Sequence, residues 1–402
     1  MQNRDDDVNQ RLQALLSRPA AGRAAAPPAA SAGGRAERRR GEHGPLRFSF
    51  MFFSDANQGD ADKYRLVFEV ADFGDRHGFE AVWLPERHFH PFGGIYPNPA
   101  VLAAALAART RSIRLRSGSV VLPLHHPTSV AESWAMVDNL SRGRVDLGFA
   151  SGWNPNDFVA APENFARRRE LWHEGIPLVK KLWRGEPLAL KNGKGETTEV
   201  RVYPRPVQAE LDVWLVVTKS DDGFRHAGEQ GYNVLTMLQG IDLPALGEKI
   251  RIYAEGRRAA GLDPDGGAVT LMLHTFVHGD RARVEQAVRE PFLQYIRSAL
   301  TGHLAGLEGG RRPADEELQR VVEYSYQRYF KTAALFGTVE DAAAVAQAAR
   351  AQGVSEIACL MDFGVDHDLV RESLPHLERL QGRFARAEAA KGGRDGDERR
   401  FG

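Results

Sequence analysis

The sequence predicts an α/β protein whose parallel strands close into a (β/α)8 barrel, or TIM barrel, and three observations lead to that prediction. Eight short apolar segments alternate with stretches of helical periodicity. The strand segments are apolar along most of their length, which is typical of a parallel sheet covered by helices. The loop after the first strand, 52–60, lacks the G-x-G-x-x-G pattern of an open dinucleotide-binding sheet. The predicted strands are 46–53, 79–85, 112–122, 144–151, 211–217, 232–238, 269–277 and 355–362.

Between these strands the apolar spacing predicts helices, and the first of them ends at Gly78, a residue typical of helix C-caps. The predicted helices are 60–78, 99–110, 127–143, 163–184, 221–230, 243–260 and a closing helix from about 366. Two segments interrupt the alternation. A hairpin is predicted near 188–205, and a mostly helical insertion over 280–335 separates the seventh and eighth strands.

Domain boundaries follow from composition. The barrel is predicted over 45–382. Residues 1–44 form an Ala/Pro/Arg-rich segment that lacks the apolar residues needed to offset its ordering entropy, so we expect it to be disordered. Residues 383–402 form a polar C-terminal tail, for which we also expect disorder.

Charge and hydropathy exclude several classes of function. The 402 residues include 53 Lys and Arg against 53 Asp and Glu, which gives no net charge and argues against nucleic-acid or membrane partners. No apolar run approaches the roughly 20 residues of a membrane span, and the N-terminus lacks the apolar core of a secretory signal. We therefore expect a cytoplasmic protein. Its single cysteine, Cys359, excludes an intrachain disulfide and a cysteine-rich zinc site.

The active site of such a barrel lies at the carboxyl ends of the strands. After the second strand, the loop 85–98 combines Glu86, Arg87, His88 and His90 with several aromatic residues. His88 and His90 form an H-x-H pair that a metal-dependent barrel hydrolase could use. No ordered set of further metal ligands is recognisable, so substrate or cofactor contact is the favoured interpretation.

Three further strand ends carry candidate residues. Gly118 and Ser119 lie within the third strand, where a glycine marks either a bulge or a close approach of the backbone to a ligand. Trp153 and Asn154 follow the fourth strand, where the indole either contacts a ligand or caps the barrel.

The loop after the fifth strand precedes a helix and carries hydroxyl groups. Hydroxyls and free N–H groups at a helix N-terminus can bind an anion. The alternative is a simple N-cap without a ligand, and the neighbouring Asp221 and Asp222 would oppose a phosphate unless they face away. The candidate residues are Thr218, Lys219, Ser220 and Gly223.

Three blocks in order, LPERHFHPFGGIYPNP, GSVVLPLHHP and FASGWNPNDF, resemble those of the luciferase-like flavin monooxygenases. The similarity is greatest to the branch found in polyketide and non-ribosomal peptide clusters. It extends from about Leu46 to Leu380 and includes GYNVLTML, YFKTAALFGTVEDA and EIACLMDFGVDHD.

The resemblance implies a (β/α)8 barrel that binds reduced FMN, supplied by a separate flavin reductase, and reacts it with O2. It implies hydroxylation of a biosynthetic intermediate, namely an acyl or aminoacyl group on a carrier protein, in antibiotic or other natural-product biosynthesis. It also implies a homodimer. The family often has a cis peptide bond beside the flavin, which maps onto Gly118–Ser119. By the same mapping the FMN phosphate lies at Thr218, Lys219, Ser220 and Gly223, and the flavin wall includes Ser54, Trp153 and Asn154.

One position departs from the family pattern. Bacterial luciferase has Glu-His-His where this chain has Glu86, Arg87 and His88, so the resemblance does not extend to light emission. Arginine cannot act as a general base, which leaves His88 as the acid–base candidate and Arg87 as a group that orients an anion. Three alternatives stay open: a metal-dependent hydrolase, a non-catalytic flavin-binding barrel, and a deazaflavin-dependent oxidoreductase.

Overall fold

The computed structural model describes residues 44–53, 62–90, 93–305 and 315–397. The predicted disorder of the N-terminal segment and the predicted flavin contact of Ser54 concern residues outside these ranges.

Eight parallel strands close the predicted barrel. Their order is β1-β2-β3-β4-β7-β8-β9-β11, and β11 pairs with β1 to close the ring. The predicted hairpin is also present, as the antiparallel pair β5–β6. The strands are β1 (Arg47–Met51), β2 (Ala81–Leu84), β3 (Arg114–Val121), β4 (Val145–Ala150), β5 (Leu188–Lys191), β6 (Thr197–Val200), β7 (Val213–Val216), β8 (Asn233–Met237), β9 (Val269–Val277), β10 (Ala334–Gly337) and β11 (Glu356–Leu360).

Helices follow the strands and begin at recognisable caps. The side chain of Asn98 accepts hydrogen bonds from the N–H groups of Ala100 and Val101 at the start of α2, and α1 ends at Gly78 with φ at 72°. The helices are α1 (Arg65–His77), α2 (Pro99–Arg109), α3 (Pro127–Ser141), α4 (Arg168–Trp183), α5 (Asp221–Glu229), α6 (Leu243–Ala259), α7 (Arg281–Ala305), α8 (Asp315–Arg328), α9 (Val339–Ala351) and α10 (His367–Asp397). Within the described ranges, no helix is long and apolar enough to cross a membrane.

Two segments differ from their predicted form. The insertion between β9 and β11 contains α7 and α8, but it ends in β10, a strand that pairs with the carboxyl half of β9. We expected helix up to about residue 335; the short run Ala334–Gly337 is buried throughout, too short for helical periodicity to identify. At the other end, α10 continues past residue 382 to Asp397, and the ring of Phe384 lies 5.5 Å from that of Phe48.

A buried arginine fills the amino-terminal half of the barrel. Arg116 lies between the indole rings of Trp83 and Trp214, 4.9 and 4.5 Å from their centroids. Its guanidinium donates to both carboxylate oxygens of Glu356 at 2.8 Å and to Asp146 at 2.8 Å. Burial by itself would lower the pKa of Arg116, but these carboxylates outweigh it and raise the pKa. This charged layer lies near the strand starts, away from the candidate site.

Candidate functional site

Glu86 is the common hydrogen-bond acceptor of the loop after β2. Its Oε1 lies 3.0 Å from Nε2 of His88 and 2.5 Å from Nε2 of His125. Its Oε2 accepts a 2.7 Å hydrogen bond from the N–H of Val121 at the end of β3. The carboxylate is buried, so one side chain connects the β2 loop, the end of β3 and two imidazoles.

The charges of this cluster support one another. Burial alone would raise the pKa of Glu86, but the hydrogen bonds from His125, His88 and the Val121 N–H outweigh it, and the pKa lies below its usual value. An ionised Glu86 only accepts hydrogen bonds, so both imidazoles donate from Nε2. The hydrogen bond to Glu86 raises the pKa of His88, although burial opposes the shift.

The raised pKa of His88 predicts a pH-dependent stability. The protonated imidazole gains a partner on folding, so it adds to the free energy of unfolding. This contribution is complete below pH 6.5, the ordinary histidine pKa, and is lost as the pH rises through the higher folded-state pKa. We expect the wild type to be more stable than His88→Gln near pH 6 by a margin that narrows towards pH 9. Thermal unfolding of both proteins across this range measures the margin. A margin that does not change with pH would show that His88 titrates equally in both states.

Arg87 follows Glu86 and is held between aromatic rings. Its guanidinium lies 5.3 Å from the ring centroids of both Phe53 and Trp153. Burial lowers its pKa, and the negative charge of Asp157 opposes that shift. Burial raises the pKa of Asp157, and the nearby Arg87 guanidinium opposes this second shift. Arg87 is buried, whereas the Trp153 ring stacked on it is 41% exposed and can contact a ligand.

Asp362 anchors this loop to the barrel. Its carboxylate accepts hydrogen bonds from the Tyr96 hydroxyl at 2.9 Å and from the Phe53 N–H at 2.9 Å. The carbonyl of Tyr96 in turn accepts from the Arg87 N–H at 2.9 Å. The ends of β1, β2 and β11 are therefore joined, which gives Arg87 a rigid support.

Sequence reasoning missed several members of this cluster. His125 was not among the candidate residues, although the GSVVLPLHHP block that contains it lies at the end of β3. Asp157 lies in the FASGWNPNDF block, but Asp362 is distant in sequence, and its contact with Phe53 spans 309 residues. Across the described ranges, no group of three or more His, Cys, Asp or Glu side chains could hold a metal ion.

The ends of β3 and β4 contain the other candidates of that region. The Gly118–Ser119 peptide bond is cis, as the resemblance predicts. A Cβ at position 118 would lie 3.2 Å from Trp83, so the backbone packs closely against the indole there. Asn154 accepts from the Asn156 N–H and donates to the Asp157 carboxylate, each at 3.1 Å. It thus caps a short 3-10 turn and orients Asp157 near Arg87.

The loop after β7 has the geometry of a helix N-cap. The Ser220 hydroxyl accepts a 3.1 Å hydrogen bond from the Gly223 N–H. Asp221 pairs with Lys249 on α6, so its charge is partly balanced. Lys219 and Ser220 are exposed and Thr218 is half-buried. Ser220 therefore caps α5, while its hydroxyl and Lys219 lie on the exposed surface, and whether an anion binds there stays a prediction.

Comparison with known proteins identifies the family. A family model described as luciferase-like monooxygenase matches residues 46–356. The chain is 26% identical over 346 residues to the oxygenase component of flavin-dependent trigonelline monooxygenase from Acinetobacter baylyi, covering 83% of this chain and 93% of that protein. It is 35% identical over 167 residues to 4-hydroxyprotoasukamycin monooxygenase of Streptomyces nodosus subsp. asukaensis, covering 40% of this chain and 44% of that protein.

Solved structures share the fold. The oxygenating constituent of 3,6-diketocamphane monooxygenase from Pseudomonas putida, in complex with FMN, superposes with a TM-score of 0.65 at 19% identity, covering 83% of this chain and 96% of that one. An F420-dependent secondary alcohol dehydrogenase superposes with a TM-score of 0.62 at 18% identity, covering 82% of this chain and 97% of that one.

Proposed function

This chain belongs to the luciferase-like monooxygenase family and has a flavin-dependent relative, so we propose that it uses reduced FMN and O2 to hydroxylate a biosynthetic intermediate. The intermediate is an acyl or aminoacyl group on a carrier protein, and the reduced flavin comes from a separate reductase. One observation carries the proposal: three features lie at one end of the barrel, at the carboxyl ends of β2, β3, β4 and β7. They are the Glu86 cluster (Glu86, Arg87, His88 and His125), the Gly118–Ser119 bond and the α5 N-terminus.

The residues at this end fit FMN. The start of α5 offers a set of hydrogen-bond donors suited to a phosphate. The set consists of the Ser220 and Thr218 hydroxyls, the N–H groups of the first turn and the Lys219 ammonium. Trp153 offers a flat exposed ring, and Ser119, next to the closely packed Gly118, is half-buried at the end of β3. When bound, reduced FMN supplies the electrons that activate O2.

The protein's own residues hold charge and move a proton. His88, with its pKa raised by Glu86, is the general acid–base group of the site. Glu86 keeps the His88 imidazole in one orientation and stabilises its protonated form, because the carboxylate lies 3.0 Å away. Arg87 orients an anionic group of the substrate or flavin, which its buried position beside Trp153 favours.

The partner proteins rest on separate observations. The trigonelline enzyme is named an oxygenase component, which supports a separate reductase here. The carrier protein rests on the resemblance to enzymes of polyketide and peptide clusters. For a homodimer, the support is an exposed apolar surface on α2 and α3, where Val101, Met136 and Leu140 are 68%, 55% and 56% exposed.

The decisive experiment supplies a flavin reductase, NADH, FMN and labelled O2 with matched free and carrier-bound acyl and aminoacyl substrates. Mass spectrometry should find one labelled oxygen atom in the product only when FMN and the reductase are both present. Product formed with F420 instead of FMN would assign the chain to the deazaflavin enzymes. FMN binding without any product from either substrate form would favour a non-catalytic flavin-binding barrel.

A charge at the α5 N-terminus tests the proposed phosphate position. Asp, Asn and Ser are comparable N-caps, so Ser220→Asp and Ser220→Asn both keep the cap, and only the first adds a negative charge. We expect Ser220→Asp to weaken FMN binding by about tenfold or more, since its carboxylate repels the phosphate, and Ser220→Asn to bind nearly as the wild type does. Fluorescence titration of FMN measures both affinities. Equal affinity of the two variants would move the phosphate to another loop.

A further inference from the structure

His274 is a buried polar side chain that the proposed function does not use. It lies on β9 and is 4% exposed. In the part of the chain that the structure describes, its Nε2 has no hydrogen-bond partner. A buried polar atom without a partner is costly in a native protein and calls for an explanation, such as a ligand that completes it.

The strand register shows that His274 faces the barrel interior. Trp214, which stacks on Arg116 inside the barrel, donates from its indole N–H to the Thr270 hydroxyl at 3.2 Å. Alternate residues of a strand share one face, so Met272 and His274 also point inward. His274 lies in the carboxyl half of β9, towards the end of the barrel that carries the candidate site.

The same layer of side chains reaches the predicted flavin position. His274 is paired with Leu360 of β11, and Leu360 is paired with Met51 of β1. The Met51 methyl carbon lies 3.4 Å from where a Cβ of Gly118 would be. Adjacent strands are roughly 5 Å apart, so His274 and Met51 are about 10 Å apart in one layer. His274 therefore lies within a small molecule's length of the Gly118–Ser119 bond.

The insertion and the loop after β11 surround His274 with aromatic rings. Four rings lie edge-on to the imidazole, with centroids 4.7, 4.7, 5.5 and 5.8 Å away: Phe292, Tyr295, Tyr329 and Phe363. The positive charge of Arg87 also acts on the pKa of the Tyr295 hydroxyl, so these aromatic rings lie close to the Glu86 cluster. The surroundings of His274 are thus apolar and aromatic, and the charged Arg87 guanidinium lies beyond them.

We propose that His274 is a specificity-determining residue, which hydrogen-bonds an uncharged hydroxyl or carbonyl group on an aromatic part of the substrate. This inference rests on the proposed function, because it names the substrate class of the same site. Burial lowers the pKa of His274 to about 3, so the imidazole is neutral and offers no ion pair to a carboxylate. Edge-on aromatic neighbours favour a flat ring.

Two probes of similar shape test the proposal: p-cresol has a hydroxyl where p-xylene has a methyl group. Each is titrated against the full chain, with and without FMN, and followed by ligand-detected NMR. We expect His274→Leu to weaken p-cresol binding by about tenfold and to leave p-xylene binding unchanged or tighter. His274→Gln, which keeps a polar group near the Nε2 position, should recover part of the p-cresol affinity. Met272→Leu, one layer deeper on the same strand face, should change neither.

A purely structural His274 predicts a different pattern. In that case both probes respond equally to His274→Leu, or p-cresol does not bind the wild type at all, and either result overturns the proposal. If His274→Leu does not fold, the comparison of His274→Gln with the wild type carries the test. FMN titration and labelled-oxygen incorporation are measured separately, so failure of the proposed function and failure of the His274 proposal are distinguishable.

Discussion

His88→Ala is expected to bind FMN as the wild type does but to form hydroxylated product about 10²–10⁴ times more slowly, the usual contribution of a general acid–base group. The imidazole lies in the β2 loop and donates to Glu86, whereas the proposed phosphate donors are on α5. Oxygen consumption should therefore continue, with hydrogen peroxide released in place of product. An oxygen electrode, a peroxide assay and product analysis together measure this uncoupling.

The matched control for His88→Ala is His126→Asn. His126 is an exposed histidine that caps α3 by accepting from the Thr128 N–H, and asparagine keeps that cap. In this variant we expect oxygen consumption to be coupled to product formation as in the wild type. Wild-type coupling in His88→Ala as well would assign the proton to another group, and His125, which contacts the same Glu86 oxygen, would then be the next residue to substitute.

Arg116→Met is expected to cause the largest loss of stability, about 3–5 kcal/mol, because it removes one partner from a buried set of ion pairs. The guanidinium is fully buried, and its removal leaves Glu356 inside the barrel without its main counterion and Asp146 with only Arg114 as its partner among the described residues. Methionine fills much of the aliphatic volume, so the loss reflects uncompensated charge rather than a large cavity. Urea unfolding measures the change in free energy.

The control for Arg116→Met is the same substitution at Arg109, whose ion pair with Asp72 lies at the surface. Exposed pairs of this kind contribute about 0–1 kcal/mol, so Arg109→Met should be nearly neutral. Adding Glu356→Gln to Arg116→Met should recover part of the stability, since one buried charge is removed. Equal losses at positions 109 and 116 would show that the barrel interior is better hydrated than its packing indicates.

Local patterns in the sequence predicted most of the architecture. The eight barrel strands, the hairpin and the caps at Gly78 and Ser220 are properties of a few consecutive residues, namely apolar spacing, β-branched content and capping chemistry. The same patterns missed β10, because a buried strand of this length has no periodicity that distinguishes it from the end of a helix.

The candidate site was only partly predictable. Glu86, Arg87 and His88 were identified because they are adjacent in a long loop at a strand end. Three other members of that site, His125, Asp157 and Asp362, come from later strand ends. Their relation to the loop depends on strand order and register around the closed barrel, which no local pattern contains.

The sequence by itself determined the barrel and the segments that form its strands, because these depend on short-range periodicity. The tertiary structure alone decided which side chains share a partner. Glu86 accepts from two histidines, Arg116 bonds to Glu356 across 240 residues, and Nε2 of His274 faces the interior with no hydrogen-bond partner among the residues that the structure describes. The physical reason is that burial and hydrogen bonding depend on contacts made when the sheet closes, and a one-residue shift in register would turn each of these side chains to the other face.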